Sequence, residues 1–506
     1  VTAGSNQAAV RLSISPDTAK KLIKTKGLKL RRKGRTAHRH LTSVYFDTPR
    51  HVLRKSGISL RLRDDGTHRV QAVRAELDSE PREVVADIDG DRPELGGIPD
   101  ADLARRLKRR RCADRLQSVF VTEVDRTTVR LKARGAEVKL AVDQGVIRVD
   151  NNGHSREEPI CEVELQLLSG DPVRMMELAL EVCETFDATL THRSKAERGY
   201  ALARPALRPR PRKATLVALT SDLTVGESFR IVADSALGHL FDNRVPVLRG
   251  KPGGVHQSRV AMRRLRAALR AFKGVLPYDK RKAFNSELRW FQQRLAPARD
   301  WHVFLDETLP LVAKANRDAD HHVEKLRRVA REERRRATHE AIEYLESRRY
   351  ARLILKFQTW LADLENQIPG RAFNRPLLPF AKSVLKKTQR DLIRETRPLV
   401  RLPGEDVHTL RKTGKKARYA TEFFSPLWQS EDVKPYLKLM ARLQDKLGSS
   451  NDAVVARQIL WSIRPGRLEP DTIRLVQDWS DARIHDCIKT AQPHWRRLRR
   501  AKPFWE

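Results

Sequence analysis

His256-Gln-Ser-Arg259-Val-Ala-Met-Arg263-Arg-Leu-Arg266-Ala-Ala-Leu-Arg270 sets a histidine and four arginines at successive spacings of 3, 4, 3 and 4. At about 100° per residue, these five fall within roughly an 80° arc of one helix. Ala261, Met262, Leu265, Leu269, Phe272 and Leu276 occupy the opposite side. The helix is therefore expected to bury an apolar stripe and to present a cationic one. Like charges three and four residues apart repel and weaken a helix. An anion lying along the row accounts for them; the plainer alternative is a solvated helix face.

The same pattern returns further on. His408, Arg411, Lys415 and Arg418 repeat the 3, 4, 3 spacing, with Leu410, Ala417, Thr421 and Phe424 on the apolar side. His256 and His408 lie 152 residues apart, as do Asp300 and Asp452 in Leu295-Ala-Pro-Ala-Arg-Asp300 and Leu447-Gly-Ser-Ser-Asn-Asp452. Two features at one offset indicate an internal duplication. Two similar helical units, related by a pseudo-twofold axis, could then turn their cationic helices toward a common channel.

Composition locates the charge. The 506 residues carry 101 Lys and Arg against 64 Asp and Glu, a net charge of +37. Residues 1–200 account for +8 and residues 201–506 for +29. Such asymmetry points to a polyanion partner for the second half. Single-strand nucleic-acid binders interleave aromatics with cations. Neither row does so, and aromatics make up only 6% of the chain. A membrane-surface role needs large apolar residues beside the basic ones. No stretch approaches the length of apolar sequence that spans a bilayer. Cys112, Cys161, Cys183 and Cys487 form no CxxC pair. That pattern and an N-terminus without a signal-like apolar core point to the cytoplasm.

Residues 1–203 read as strands with some helix. Ala8–Ile14, Ser43–Asp47, Ile58–Arg63, Arg69–Arg74, Val129–Leu131, Glu137–Val142, Val146–Val149 and Ile160–Leu167 are expected strands. Short helices are expected at Asp17–Leu28 and Pro172–Phe186. In Leu60-Arg61-Leu62-Arg63 both arginines share a face, and in Glu162-Val163-Glu164 both carboxylates do. A barrel lumen lined in this way suits an anion and a hard metal; the alternative is one solvated face of an ordinary sheet.

Residues 204–219, rich in Pro and Arg, read as a stiff linker. From 220 to 506 the chain reads as helices at 226–242, 254–275, 279–296, 299–316, 319–346, 349–366, 375–397, 404–426, 432–448, 450–463, 470–480 and 481–499, with repeats at about 220–370 and 371–506. The fold class is multidomain α+β: an N-terminal antiparallel β tunnel barrel with helices, then an all-α domain of two pseudo-twofold-related bundles. Lys382, Lys386, Lys387 and Arg390 could line the channel. The arginines from Arg327 to Arg336 read as self-paired with nearby glutamates. His321 and His322 read as surface, and Arg496–Arg500 as either an electrostatic grip or a frayed end.

Two family resemblances sharpen these readings. Tyr45-Phe-Asp-Thr-Pro49, Leu60-Arg-Leu-Arg63, Ile160-Cys-Glu-Val-Glu-Leu165, Ser169-Gly-Asp171 and Ser194-Lys-Ala-Glu-Arg-Gly-Tyr200 resemble the CYTH family in order and spacing. That resemblance implies a closed tunnel barrel in which Mg or Mn serves triphosphate chemistry. It gives phosphate-gripping roles to Arg61, Arg63, Arg74, Arg126 and Lys195, and metal-ligand roles to Glu162 and Glu164. The family's first strand carries Glu-x-Glu-x-Lys, whereas Gln7, Ala9 and Arg11 stand here. A catalytic metal needs fixed, well-ligated geometry, so the expectation is an inactive tunnel with no catalytic residue.

His256-x-x-Arg-Val-x-x-Arg-Arg-Leu-Arg266, Ala298-Arg-Asp300, His408-x-x-Arg411 with Lys415-Lys-Ala-Arg-Tyr419, and Leu443-Gln-Asp-x-Leu-Gly448 with Asn451-Asp452 resemble the CHAD family. That resemblance implies inorganic polyphosphate as partner, with no cofactor required. The expected binding residues are His256, Arg259, Arg263, Arg266, Arg270, His408, Arg411, Lys412, Lys415, Lys416, Arg418, Lys382 and Lys386. The protein is then expected to bind polyphosphate, at polyphosphate granules where these form, with no specific nucleic acid and no membrane. The alternative is a metal-dependent triphosphatase or polyphosphatase with the helical half as substrate collector.

Overall fold

The computed structural model describes residues 9–24, 31–77, 80–109, 115–133, 135–151, 154–191, 193–204 and 210–506. Gln7 and Cys112 lie outside them. The chain divides into two compact units, Val1–Arg208 with Glu346–Ala362, and Pro209–Leu345 with Asp363–Glu506.

The first unit runs β1 (Ala9–Ser13), α1 (Pro16–Lys24), β2 (Arg31–Asp47), α2 (Val52–Lys55), β3 (Ile58–Asp64), β4 (Arg69–Leu77), β5 (Glu80–Asp87), α3 (Ala101–Arg109), β6 (Gln117–Ala133), β7 (Ala136–Asn151), β8 (His154–Gly170), α4 (Pro172–Thr185), β9 (Thr189–Leu190) and α5 (Lys195–Ala203). The strands form one antiparallel sheet in the order β5-β4-β3-β2-β6-β7-β8-β1-β9. Alternation sorts the faces. Leu60, Leu62, Val73 and Ala75 pack with Ile88, Leu103 and Leu107 on one side. Arg61, Arg63 and Arg74 take the other by parity.

The sheet is curled. Three strands separate β3 from β8, a gap of roughly 19 Å in a flat sheet. Arg61 of β3 nevertheless feels the charge of Glu164 on β8. Among the described residues, β5 and β9 are not paired with each other, so curvature rather than a closed hydrogen-bond ring makes the expected tunnel. With only two residues, β9 has little ladder to offer a further neighbour.

Several strands are longer than expected. Glu137–Val142 and Val146–Val149 are one strand, β7, through Gly145. Glycine there is not a turn signal. A Cβ at Gly145 would lie 2.0 Å from the Glu123 carbonyl oxygen on β6, so only glycine permits this approach. Strand β5 was not expected, because Pro81 and its acids mask the alternation; Pro is tolerated on a sheet edge, where β5 lies.

The second unit contains α6 (Val225–Asp242), α7 (Arg244–Leu248), α8 (Pro252–Ala271), α9 (Tyr278–Arg294), α10 (Ala296–Val303), a π-helical turn (Phe304–Thr308), α11 (Leu309–Ala315) and α12 (Asp320–Glu346). The helix α13 (Arg348–Ala362) groups with the first unit and packs on α4 there, with Arg348 paired to Asp187 and Arg352 to Glu184. The second unit resumes with α14 (Leu364–Gln367), α15 (Gly370–Phe373), α16 (Leu377–Ile393), α17 (Gly404–Phe424), α18 (Ser430–Leu460) and α19 (Pro470–Arg500).

Four expected helices merge into two. α18 runs through Gly448-Ser449-Ser450, and α19 through Ser480-Asp481. Packing overrides the weak local propensity: Leu447, Ser450 and Ala453 are buried in the first, and Val476, Ser480 and Cys487 in the second. Trp495 and Leu498 are buried too, so the basic end of α19 is docked rather than frayed. The expected linker is also partly built in. Asn243, between α6 and α7, donates to the Arg212 carbonyl at 2.9 Å and accepts from its N–H at 3.0 Å, while Val217 and Leu219 are buried. Residues 205–209 of that linker lie outside the described residues.

The core of the second unit follows the apolar stripes read from the sequence. Ala261, Met262, Leu265, Leu269, Phe272 and Leu276 are buried, as are Leu410, Ala417, Thr421 and Phe424. Phe272 and Phe424, equivalent residues 152 apart, meet with ring centroids 5.6 Å apart. This contact joins α8 to α17. Replacing Gly145 with Ala should destabilise the first unit by about 1–3 kcal/mol through overpacking against β6. Urea unfolding followed by circular dichroism measures it; an unchanged midpoint would mean that the β6–β7 approach is not tight.

Candidate anion-binding sites

In the helical unit, cations of α8 and α17 come into one another's field. His256 is half-buried, and burial followed by Arg299, Arg263, Arg259 and Lys415 pushes its imidazole down to about 4. Burial, then Arg411, Arg263 and Arg418, drives the Lys415 ammonium down to about 7 against the opposing pull of Asp452. Residues of the two repeats thus share one crowded positive field. The His256 imidazole is neutral there at pH 7.

The duplication extends to how the arginines are held. Gln292 on α9 donates to the Arg259 carbonyl at 3.3 Å, and Gln444 on α18 to the Arg411 carbonyl at 3.5 Å. Asp300 faces Arg259, and Asp452 faces Arg411. Burial raises both aspartates, and each is opposed by its arginine. Gln292 and Gln444 also keep the offset of 152. The Nε atoms of Arg263 and Arg411 are buried without a hydrogen-bond partner.

Other expected residues fall into different settings. Arg266 is taken up by Asn285 at 3.0 Å and by Gln292, and Arg418 by Glu422 at 2.8 Å. These two arginines, again equivalent, act as much within the fold as toward a ligand. His408 is exposed and bonded to Asn451. Arg270 and Lys412 are exposed flanking cations beside Lys416. Lys382 and Lys386 are exposed on α16, where Lys387 is the lysine that meets Lys273. Arg299 was missed. It belongs to the quoted Ala298-Arg-Asp300 but lies outside the 3, 4 rows; only its place beside a repeated aspartate could have marked it. Arg327 and Arg336 do pair with Glu324 and Glu333 on their own helix. His322 is held by Thr472 at 2.9 Å and lies near Glu469, so it is not a bare surface residue.

In the sheet unit, register builds a band of charge across the concave face. Ser13, Glu162, Asp143, Arg126 and Arg39 stand opposite one another on β1, β8, β7, β6 and β2. Arg126 donates to both Asp143 oxygens at 2.7 Å, and Lys195 of α5 donates to Asp143 at 2.7 Å and to Glu162. Arg11 donates to Glu164 from Nε at 3.1 Å and from Nη2 at 2.8 Å. Arg61 bonds Glu83 at 2.6 Å and the Tyr45 hydroxyl at 3.1 Å, and half-buried Arg74 stands opposite Glu83 in register. Against the opposing effect of burial, Arg126 and Lys195 hold Asp143 down to about 2. Arg11, Arg126 and Lys195 likewise hold Glu164 to about 2.

Asp143 was missed because the expected strand stopped at Val142; continuing the alternation of Lys139 and Ala141 by one step would have found it. Asp47, in the quoted Tyr45-Phe-Asp motif, is structural. It is fully buried and accepts from the backbone N–H groups of Thr48, Leu53 and Arg54, which anchors α2.

The metal implied for Glu162 and Glu164 does not fit this constellation. Arg11 occupies the first strand and clasps Glu164, while Lys195 and Arg198 engage Glu162. Among the described residues no three His, Cys, Asp or Glu side chains converge as metal ligands. A divalent ion would have to displace these cations, and the neighbouring carboxylate of Asp143 is itself taken up by Arg126 and Lys195.

A curled, charge-lined sheet followed by a duplicated helical unit with converging cationic rows defines the class. The chain matches the CYTH domain model over residues 10–200 and the CHAD domain model over 231–461, and it is a CYTH–CHAD fusion. It is 26% identical over 168 residues to a Haemophilus influenzae protein named inorganic triphosphatase; the match covers 32% of this chain and 46% of that one, about half its length. The crystal structure of the CHAD domain from the plant Ricinus communis aligns with TM-score 0.50 at 26% identity, over 57% of this chain and 96% of that one. PptA from Streptomyces chartreusis aligns at TM-score 0.42 and 18% identity, over 54% of this chain and 99% of that one. No described helix is long and apolar enough to cross a membrane.

Asp143 provides a test of the sheet's ion-pair band. Its folded value near 2 lies below the ordinary 3.8, so the stabilisation is present above about pH 4 and lost as pH falls through about 2. Asp143→Asn should cost about 3 kcal/mol at pH 7, as expected when a buried pair loses one partner. The gap to wild type should narrow between pH 4 and pH 2 in denaturant titrations. A gap independent of pH would show that charge is not its source.

Proposed function

We propose that the protein binds inorganic polyphosphate where α8 and α17 converge, gripping it with Arg259, Arg263, Arg299, Arg411 and Lys415. The observation that carries this reading is the convergence of two equivalent cationic rows, where burial, and then Arg411 and Arg263, draw Lys415 down to about 7. An anion relieves their mutual repulsion. Cations alternating at three and four residues sit about 5 Å apart along a helix axis, and a flexible chain with charge on every phosphate can follow them. Arginine forks grip phosphate oxygens in pairs, while lysine acts as a point charge. Neutral His256 supplies a hydrogen bond rather than charge. Association with granules would follow from the ligand wherever polyphosphate condenses.

The name of the Haemophilus relative favours a second reading, triphosphate hydrolysis in the CYTH unit. Gln7 and Ala9, where the family's first strand carries acids, stand against it. Phosphate release from tripolyphosphate with Mg or Mn tests that reading; none above a heat-inactivated control is expected.

Long-chain polyphosphate and single-stranded DNA of equal charge, titrated into the full chain at rising salt, test the first reading. Polyphosphate should hold on to higher salt. Replacing Arg259, Arg263, Arg411 and Lys415 with Ala should weaken its binding by at least ~100-fold, since each charge-assisted bond contributes about 1.5–3 kcal/mol. Equal affinity for both polymers, or an unaffected variant, would contradict the proposal.

Binding should also depend on pH. The ligand favours protonated Lys415, whose free value is about 7, so affinity should fall as pH rises from 6 to 8. Lys415→Arg, charged throughout, should flatten that slope. A slope unchanged by the substitution would assign it to another group.

A further inference from the structure

Arg299, a member of the proposed grip, is already engaged. Its Nη2 donates to Glu307 Oε1 at 3.2 Å. Groups of both repeats feel this pair. After burial, Arg299 does most to lower His256 on α8. Burial raises Asp452 on α18, the Glu307 charge adds to that rise, and Arg411 and Arg299 oppose it. The arginine side chain is 24% exposed and the glutamate 58%.

The local sequence explains how a glutamate eight residues on meets this arginine. In an unbroken α-helix, positions i and i+8 lie about 80° apart around the axis, whereas i and i+7 lie about 20° apart. Pro310 stands in the continuous run from α10 to α11. A proline ring clashes with the carbonyl four residues back, here that of Asp306. The π-helical turn Phe304–Thr308 makes room for the ring by taking one extra residue into the turn. That residue returns Glu307 to the angular place of the seventh position, on the face of Arg299.

The second repeat has no such pair. At the offset of 152, Arg299 corresponds to Asn451, which accepts from Arg411 and bonds His408. Glu307 corresponds to Ile459, buried on the regular helix α18. The other acid of the π-helical turn points elsewhere: Asp306 accepts from Arg334 of α12 at 3.3 Å.

We infer that Glu307 is an internal competitor for polyphosphate. It holds Arg299 until a phosphate displaces it, and so keeps the affinity of the helical site below what its cations alone would give. This rests on the proposal that polyphosphate binds where α8 and α17 converge. Among the acids there, Asp300 and Asp452 are half-buried and Glu307 is exposed. Glu307 can therefore turn into water when it is displaced, and close again on Arg299 when the ligand leaves.

Calorimetric titration of long-chain polyphosphate into the full chain, at one fixed salt concentration, tests the inference. Glu307→Gln should bind about two- to fivefold more tightly than wild type, the scale of one exposed ion pair. Asp306→Asn removes the same charge one residue away and should change affinity less. Arg299→Gln should weaken binding, and adding Glu307→Gln to it should then have no further effect. A Glu307→Gln variant that binds no more tightly overturns the inference. So does an equal gain from Asp306→Asn, or a gain that persists without Arg299, because either shows general repulsion between acid and ligand. The chain with Ala at Arg259, Arg263, Arg411 and Lys415 separates the two levels. If it binds as tightly as wild type, the helical site is wrong and the inference falls with it. If it loses binding while Glu307→Gln is inert, the inference alone falls.

Discussion

The contact between Phe272 and Phe424 is the constraint on which the helical unit turns. Each ring is fully buried, and burial of such a side chain contributes about 1.5–3 kcal/mol. The pairing of the rings adds about 0.5–1.5 kcal/mol. The rings meet at the C-terminal ends of α8 and α17, and the same two helices bring Arg263 into the field of Arg411 and Lys415. Apolar burial therefore sustains an electrostatic arrangement that would not form by itself. Burial first, and then the crowding of cations, sets His256 and Lys415 low. A ligand that relieves that crowding gains from work already done in folding. The glutamines on α9 and α18 and the aspartates on α10 and α18 complete two equivalent cradles.

The sheet unit reaches charge complementarity by another route. Period-two alternation collects acids and bases on one face, and strand register sets them opposite one another. At the end near β1 and α5 they cancel through Arg11, Arg126 and Lys195. Arg11 therefore does more than line the face: it supplies a counter-ion for Glu164.

Much of this was legible in the sequence, and what was missed has physical reasons. The 3, 4 rows and the offset of 152 are local and periodic, so they disclosed the paired helices and their buried stripes. Gly145 and Gly448 read as breaks because propensity takes no account of neighbours. The first is required by the approach of β6, and the second is carried by burial along α18. Asp143 lay one residue beyond an expected strand. Gln292 and Gln444 were silent because glutamine has no charge pattern, and only the repeat offset could have linked them. Helix α13 could not have been assigned to the first unit from its periodicity, since an amphipathic face does not name what covers it.

The central claim is that the two repeats build one composite site rather than two separate ones. Calorimetry of polyphosphate with variants altered in one repeat only, Arg259→Ala with Arg263→Ala or Arg411→Ala with Lys415→Ala, tests this most directly. The account predicts that either variant keeps the wild-type stoichiometry and binds more weakly. Half the stoichiometry at unchanged affinity would mean two independent sites and would contradict it.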